Sequence, residues 1–291
     1  MERHSLKVGE LLKYGYEILK SEGIESYALD CDLLLGKVIK KDRLFLLLNR
    51  EYELNNSEID EFYRLISLRK NKMPIKYMLG ECEFMGLSFY VKEGVLIPRP
   101  DTETLVECAI EEIKKNNFIH VCDVCCGSGI IGLTIAKLMD NVNIKSSDIS
   151  DIACEVTKEN IKRLNLSEKV EVIKSDLLDK FIKNQDKFDV VVSNPPYIRK
   201  EVIGTLMEDV KNFEPYEALC GGDDGLDFYR KITCQSLKVL NKGGVLLFEI
   251  GYDQMEDVSN ILKEYGFSEI ECIKDLAGKN RVIKGKLEIG C

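Results

Sequence analysis

The sequence predicts an α/β protein: a mostly parallel, seven-stranded sheet with helices on both faces, preceded by a small helical domain. Three observations carry this. From residue 103 onward short strand-like runs alternate with helical segments, which requires crossover connections and therefore parallel strands. The final two runs, Phe267–Lys274 and Arg281–Lys286, have too short a link for a crossover and must pair antiparallel. Before residue 73 the apolar residues recur at helical spacing only.

In order, Val8, Leu11, Leu12, Tyr16 and Leu19 mark a first amphipathic helix. Tyr27–Ile39 gives a second, and Ile59–Leu68 another, with Asn55-Asn56-Ser57 as its cap. Three or four such helices, without strands, make a bundle over residues 1–75. Residues 76–102 form a linker. In it Cys82–Val91 reads as a hairpin turning near Gly86. The third domain, residues 103–291, opens with helix Glu103–Lys115 and strand Phe118–Val124. It continues with helix Ile130–Met139, strand Val142–Ser146, helix Asp151–Leu164 and strands Val170–Ile173 and Phe188–Val192. Helix Asp227–Leu240, strand Gly244–Ile250 and helix Gln254–Tyr265 precede the closing pair.

At 45% hydrophobic residues, the chain can bury a full core. Its net charge of -9 argues against a protein that coats nucleic acid, so no stable nucleic-acid binding is expected. Residues 1–80 are close to neutral, so the acidity lies in the remainder. No run approaches membrane-spanning length and no apolar signal region opens the chain. The 11 cysteines are odd in number and form no framework, as expected of reduced thiols in the cytoplasm. His120, Cys122, Cys125 and Cys126 cluster in sequence but lack a second ligand pair, so buried thiols rather than a metal are expected.

Ligands of such sheets bind beyond the carboxyl ends of the strands, where two loops carry chemistry. Cys125-Cys126-Gly127-Ser128-Gly129 joins a strand ending in Asp123 to a helix, and its glycines allow a sharp turn and close approach to a ligand. Asp148 ends the next strand, placed to accept hydrogen bonds from ribose hydroxyls. Gly127–Gly132 formally matches the dinucleotide pattern GxGxxG, so NAD is weighed. The closing antiparallel pair and the downstream loop fit S-adenosyl-L-methionine better, with Asp176 on the adenine side.

The second loop is Asn194-Pro195-Pro196-Tyr197, after strand Phe188–Val192. The Asn194 amide oxygen and the Pro195 carbonyl, fixed by the stiff Pro195-Pro196 backbone, can hold both hydrogens of a planar NH2 group. Tyr197 can cover its flat face. Such a site suits methyl transfer to nitrogen without covalent catalysis or a metal. Adenine in DNA or RNA presents a similar NH2, and a non-enzymatic module using the cofactor for stability is a further alternative.

These motifs resemble the PrmC/HemK family of release factor protein-(glutamine-N5) methyltransferases. The resemblance extends to Val95–Glu103 (Val-Leu-Ile-Pro-Arg-Pro-Asp-Thr-Glu), Glu214-Pro215 with Ala218-Leu219, Gly221–Asp227, Glu249-Ile250-Gly251 and Asp275–Gly278 with Arg281. The four-residue loop is shared with DNA and RNA methyltransferases, whereas the Arg99–Glu103 segment is narrower and favours release factors over a ribosomal-protein glutamine. The resemblance implies a class I, Rossmann-like, S-adenosylmethionine-dependent methyltransferase domain. Its partners would be class 1 release factors, with the Gly-Gly-Gln glutamine in the Asn194 pocket. It implies Asn194, Pro195 and Tyr197 as catalytic, and Asn194–Tyr197 as the substrate site. Cys125–Gly129, Asp148, Asp176, Leu177 and Asn194 would bind the cofactor, and Arg99 and Glu103 would support the site. Cys125 stands where the family often has Gly, and Leu177 where it often has an aromatic residue.

Overall fold

A computed structural model describes residues 6–288. It divides into two units. The first runs up to Glu81 and includes Glu208–Phe213. It holds β1 (Leu6–Lys7), α1 (Val8–Ser21), α2 (Tyr27–Ile39), α3 (Arg43–Leu48), β2 (Glu53–Leu54), α4 (Asn56–Lys70) and α5 (Ile75–Leu79). The helices pack Leu11, Leu12, Leu19, Leu34, Leu35 and Phe62 into one core. Asn55 caps α4 in a reciprocal box with Glu58: Asn55 Oδ1 accepts from the Glu58 N–H at 3.0 Å, and Glu58 Oε2 accepts from the Asn55 N–H at 2.9 Å. The expectation of a strandless bundle needs one correction. Leu6 pairs with Leu54 and Lys7 with Glu53 in a two-residue antiparallel ladder. Two residues per strand are too few for a periodicity to register in sequence.

The second unit begins with a hairpin, β3 (Glu81–Phe84) and β4 (Leu87–Tyr90). Met85 and Gly86 both have positive φ, the conformation that a two-residue turn needs to match strand twist. Phe84 and Phe89 are buried in the same core as Leu105, Val106 and Val121. A 3-10 turn (Pro100–Thr102) leads into α6 (Glu103–Asn116), β5 (His120–Val124), α7 (Ile130–Leu138) and β6 (Asn143–Asp148). Then come α8 (Asp151–Arg163), β7 (Val170–Lys174), α9 (Asp179–Asn184) and β8 (Phe188–Ser193). After β8 come the short helices α10 (Lys200–Ile203), α11 (Glu208–Phe213), which belongs to the first unit, and α12 (Tyr216–Leu219). The chain closes with α13 (Asp227–Val239), β9 (Leu240–Glu249), α14 (Met255–Glu264), β10 (Phe267–Lys274) and β11 (Asn280–Leu287).

The main sheet has seven strands in the order β10-β11-β9-β8-β5-β6-β7. β7, β6, β5, β8 and β9 are parallel, and β11 is antiparallel to both its neighbours. The central strands β5, β8 and β9 are mostly buried on both sides because a core covers each face. The expected helix to Leu240 and strand from Gly244 shift slightly: α13 stops at Val239, and β9 starts at Leu240. An irregularity between Phe188–Leu240 and Val190–Val245 absorbs the extra residues. Among the described residues, no helix is long and apolar enough to cross a membrane.

Candidate active site

Strand order reverses direction beside β5, so the carboxyl ends of β5 and its neighbours form the crevice. Val124 of β5 pairs in register with Ser193 of β8, which sets Cys125 and Asn194 at the same level. The Ser193 hydroxyl donates to the Val124 carbonyl at 2.6 Å and ties the two strand ends together.

The loop after β5 is shaped by its backbone. Cys125, Gly127 and Gly129 all have positive φ. At Gly129 a Cβ would also lie 2.9 Å from Leu133 and Thr157 side-chain carbons, so a larger residue is excluded twice. The buried polar face of α8 holds the loop carbonyls: the Thr157 hydroxyl donates to Gly127 O at 3.0 Å, and Asn160 Nδ2 to Ser128 O at 2.9 Å. Asn160 also bonds both backbone groups of Tyr90, which fixes the hairpin to the same helix. Asp148 Oδ2 accepts from the Gly127 N–H and Oδ1 from the Ser150 N–H, both at 2.9 Å. Burial raises its carboxyl pKa, and these N–H groups oppose the shift.

Beneath the loop, Asp123 is fully buried. Oδ2 accepts from the Gly132 N–H at 3.0 Å, whereas Oδ1 and the neighbouring Ser146 hydroxyl have no partner. Burial pushes its pKa up to about 7. Asp176 is exposed, and Leu177 is buried at positive φ, its carbonyl accepting from the Ser147 hydroxyl at 3.0 Å. Burial raises the thiol pKa of Cys122, Cys125 and Cys126, which leaves them poor nucleophiles.

The loop after β8 is shaped by side chains. Pro195 and Pro196 are buried, while Asn194 and Tyr197 are half-buried. Asn194 Nδ2 donates to the Thr102 hydroxyl oxygen at 3.3 Å, and that hydroxyl donates to Glu249 Oε2 at 2.6 Å. The Tyr197 hydroxyl donates to Glu249 Oε1 at 3.2 Å. Buried Gln254 locks the loop exit, donating to Tyr197 O at 3.0 Å and Gly225 O at 3.2 Å. Gly221 passes so close that a Cβ would sit 2.7 Å from Tyr197 Cα, so only glycine fits there.

The two proposed supports lie elsewhere in the network. Arg99 pairs with buried Glu214, which also accepts the Ile97 N–H at 3.3 Å. Glu103 accepts from the Met85 N–H at 3.2 Å, in the hairpin turn. The structure thus brings together Cys125–Gly129, Asp148 and the Asn194 loop, and gives Arg99 and Glu103 structural partners. Thr102, Glu249 and Gln254 were not singled out as site residues by sequence reasoning. A charged Glu249 ending the apolar run Val245–Phe248 was the available sign, because buried charges need partners.

The sheet order, the glycine loop with an acidic partner one strand away, and the amide loop together define a class I methyltransferase. Models of the methyltransferase small domain and the PrmC N-terminal domain match residues 101–210 and 10–80. The chain is 60% identical over 277 residues to the release factor glutamine methyltransferase of Clostridium botulinum, covering 95% of this chain and 98% of that protein. It is 38% identical over 287 residues to the Bacillus cereus enzyme of the same name, covering 97% of this chain and 100% of that one. Among solved structures, the hMettl16 catalytic domain bound to MAT2A 3'UTR hairpin 6 superposes with a TM-score of 0.57 at 16% identity. That match covers 84% of this chain and 86% of that one, and it shows the fold alone. The chain belongs to the release factor glutamine methyltransferase family.

Membership implies S-adenosylmethionine as cofactor, and the residues present fit it. A Cβ at Gly127 would meet no atom within 4 Å, so the loop fronts open space. Each Asp148 oxygen has lone-pair capacity left beyond its backbone bond.

Proposed function

We propose that this protein transfers a methyl group from S-adenosylmethionine to the side-chain amide nitrogen, N5, of the glutamine in the Gly-Gly-Gln motif of class 1 release factors. The observation that carries it is the Asn194 amide, its nitrogen held by Thr102, one strand from the glycine loop, in a chain so close to its relatives along its length.

Cys125–Gly129 would hold the cofactor by backbone approach, Asp148 by its ribose hydroxyls, and Asp176 and Leu177 on the adenine side. Asn194 would touch both cofactor and acceptor. When bound, the cofactor supplies an electrophilic methyl on a sulfonium. A glutamine amide nitrogen is a weak nucleophile because its lone pair is delocalised into the carbonyl. Asn194 Oδ1 and the Pro195 carbonyl would accept its two hydrogens and return electron density to nitrogen. Pro196 stiffens this pair of acceptors, and Tyr197 covers the amide face. Holding the nitrogen in line supplies much of the remaining rate by proximity. Arg99, through Glu214, and Glu103, through the hairpin turn, would support the entrance segment rather than touch the reacting atoms. The helical residues 1–75 and the linker 76–102 would help to bind the release factor, and such a substrate places the reaction in the cytoplasm.

The test is direct. Purified protein with S-adenosylmethionine and unmodified release factor should add one methyl group to the Gly-Gly-Gln peptide, read by mass spectrometry. No change on that peptide, with transfer to DNA instead, would overturn the reading.

A further inference from the structure

An asparagine can present either end of its amide to a pocket, and for an NH2 acceptor only the oxygen is useful. The orientation must therefore be set by a neighbour that can only accept. Thr102 is that neighbour. Its one hydroxyl proton goes to Glu249 Oε2 at 2.6 Å, so toward Asn194 it offers lone pairs alone. Asn194 answers with Nδ2 at 3.3 Å, and Oδ1 is left for the acceptor. Glu249 Oε1 meanwhile accepts from Tyr197 at 3.2 Å. An ionised carboxylate can only accept, so in that state both hydroxyls donate to Glu249. Thr102 and Glu249 are each 1% exposed, so bulk water does not compete for these bonds.

We propose, on the reading that Asn194 binds the acceptor amide, that Glu249 acting through Thr102 is the positioning residue that locks the Asn194 oxygen toward the substrate and the Tyr197 ring over it.

The groups facing Glu249 come from several elements. Thr102 and Tyr197 donate to its carboxylate, Arg281 of β11 favours its charge, and Asp101 opposes it. Tyr229 of α13 donates to its backbone carbonyl at 3.0 Å. Arg281 is itself held by Asp101 at 2.8 Å and Asp275 at 3.1 Å. Burial raises the Glu249 pKa, so these donors hold a charge that its surroundings disfavour. With a proton on Glu249, the carboxyl can donate to Thr102 and the Thr102 proton can turn to Asn194. The asparagine then presents Nδ2 to an acceptor that is itself a donor, and the pocket is closed to amides.

The test reads the Asn194 side chain without cofactor or substrate. In protein labelled with 15N at asparagine and 13C at tyrosine, the Asn194 NH2 and Tyr197 ring signals are assigned by their loss in Asn194→Ala and Tyr197→Phe. Thr102→Val keeps the shape and removes the acceptor, so these signals should shift and their two protons should interchange faster. Thr102→Ser should restore the native positions. Glu249→Gln should shift both the Asn194 amide and the Tyr197 ring signals, and it carries the test alone should Thr102→Val not fold. On release-factor peptide, Thr102→Val and Glu249→Gln should lower kcat about tenfold or more with cofactor affinity within about twofold, and Thr102→Ser should recover it. Native Asn194 signals in folded Thr102→Val would overturn the inference whatever the activity. A wild-type protein that methylates no release factor would instead overturn the functional reading, with the NMR result still deciding this one.

Discussion

The loops after β5 and β8 leave paired strands at the same level, yet they are built by different means. The first uses backbone: positive φ at Cys125, Gly127 and Gly129, loop carbonyls held by α8, and an N–H given to Asp148. The second uses side chains: two prolines that fix φ, a phenol bonded to a buried carboxylate, and an amide tied to the same carboxylate through the Thr102 hydroxyl. A backbone site tolerates changes of side chain where Cβ has room, which is how Cys125 and Cys126 can stand in a cofactor loop. A side-chain site does not, because the groups that act are the groups that would be replaced.

The sharpest break comes at the second loop. Asn194→Ala should lower kcat by about a hundred- to a thousandfold, the usual cost of one preorganised polar group. Cofactor affinity, measured by calorimetry, should largely survive. Equal losses in both would erase the division between the loops.

Beneath the first loop, Asp123 offers a pH test. Its folded pKa of about 7 lies above its ordinary 3.8. Between these values the folded protein holds a proton that the unfolded chain has released, so stability falls as pH rises through that window. Three units at ~1.4 kcal/mol each bound the effect near 4 kcal/mol. Asp123→Asn should remove this slope and be the more stable form above pH 7, by urea unfolding across pH. An unchanged slope would show that another group carries the dependence.

Asp148→Ala should weaken the cofactor roughly 10- to 100-fold, through lost hydrogen bonds to a charged group, and leave kcat at saturation nearly unchanged. A fall in kcat alone would mean that Asp148 serves the acceptor side. The smallest effect belongs to Cys125→Gly. Relief of the left-handed backbone is worth about 1 kcal/mol, so the melting temperature should rise slightly or hold. A clear drop would mean that the thiol's packing outweighs the strain.

Most of the sheet was legible because each strand is a compact apolar run between helical periods, and the antiparallel close followed from one short link. Residues 1–72 hid α3 and the β1–β2 pair because elements of six and two residues carry no period. The acceptor loop could be read from its own four residues, since their chemistry is local. Thr102 and Glu249 lie far from Asn194 in sequence, and nothing local says that they meet it. An ion pair or cap holding the linker is the other reading open to Arg99 from sequence, but its partner is not legible there: Glu214 is brought to it only by the fold.

The sheet order has a consequence for the nascent chain. β9, β10 and β11 are synthesised in that order, yet β11 lies between the other two. The native edge of the sheet therefore cannot zip up as it is made, and β9 waits with an open edge until β11 arrives. Arg281, which balances the Glu249 charge, arrives on that same strand. The last charge that favours the Glu249 carboxylate therefore reaches the acceptor pocket on the same strand that closes the sheet.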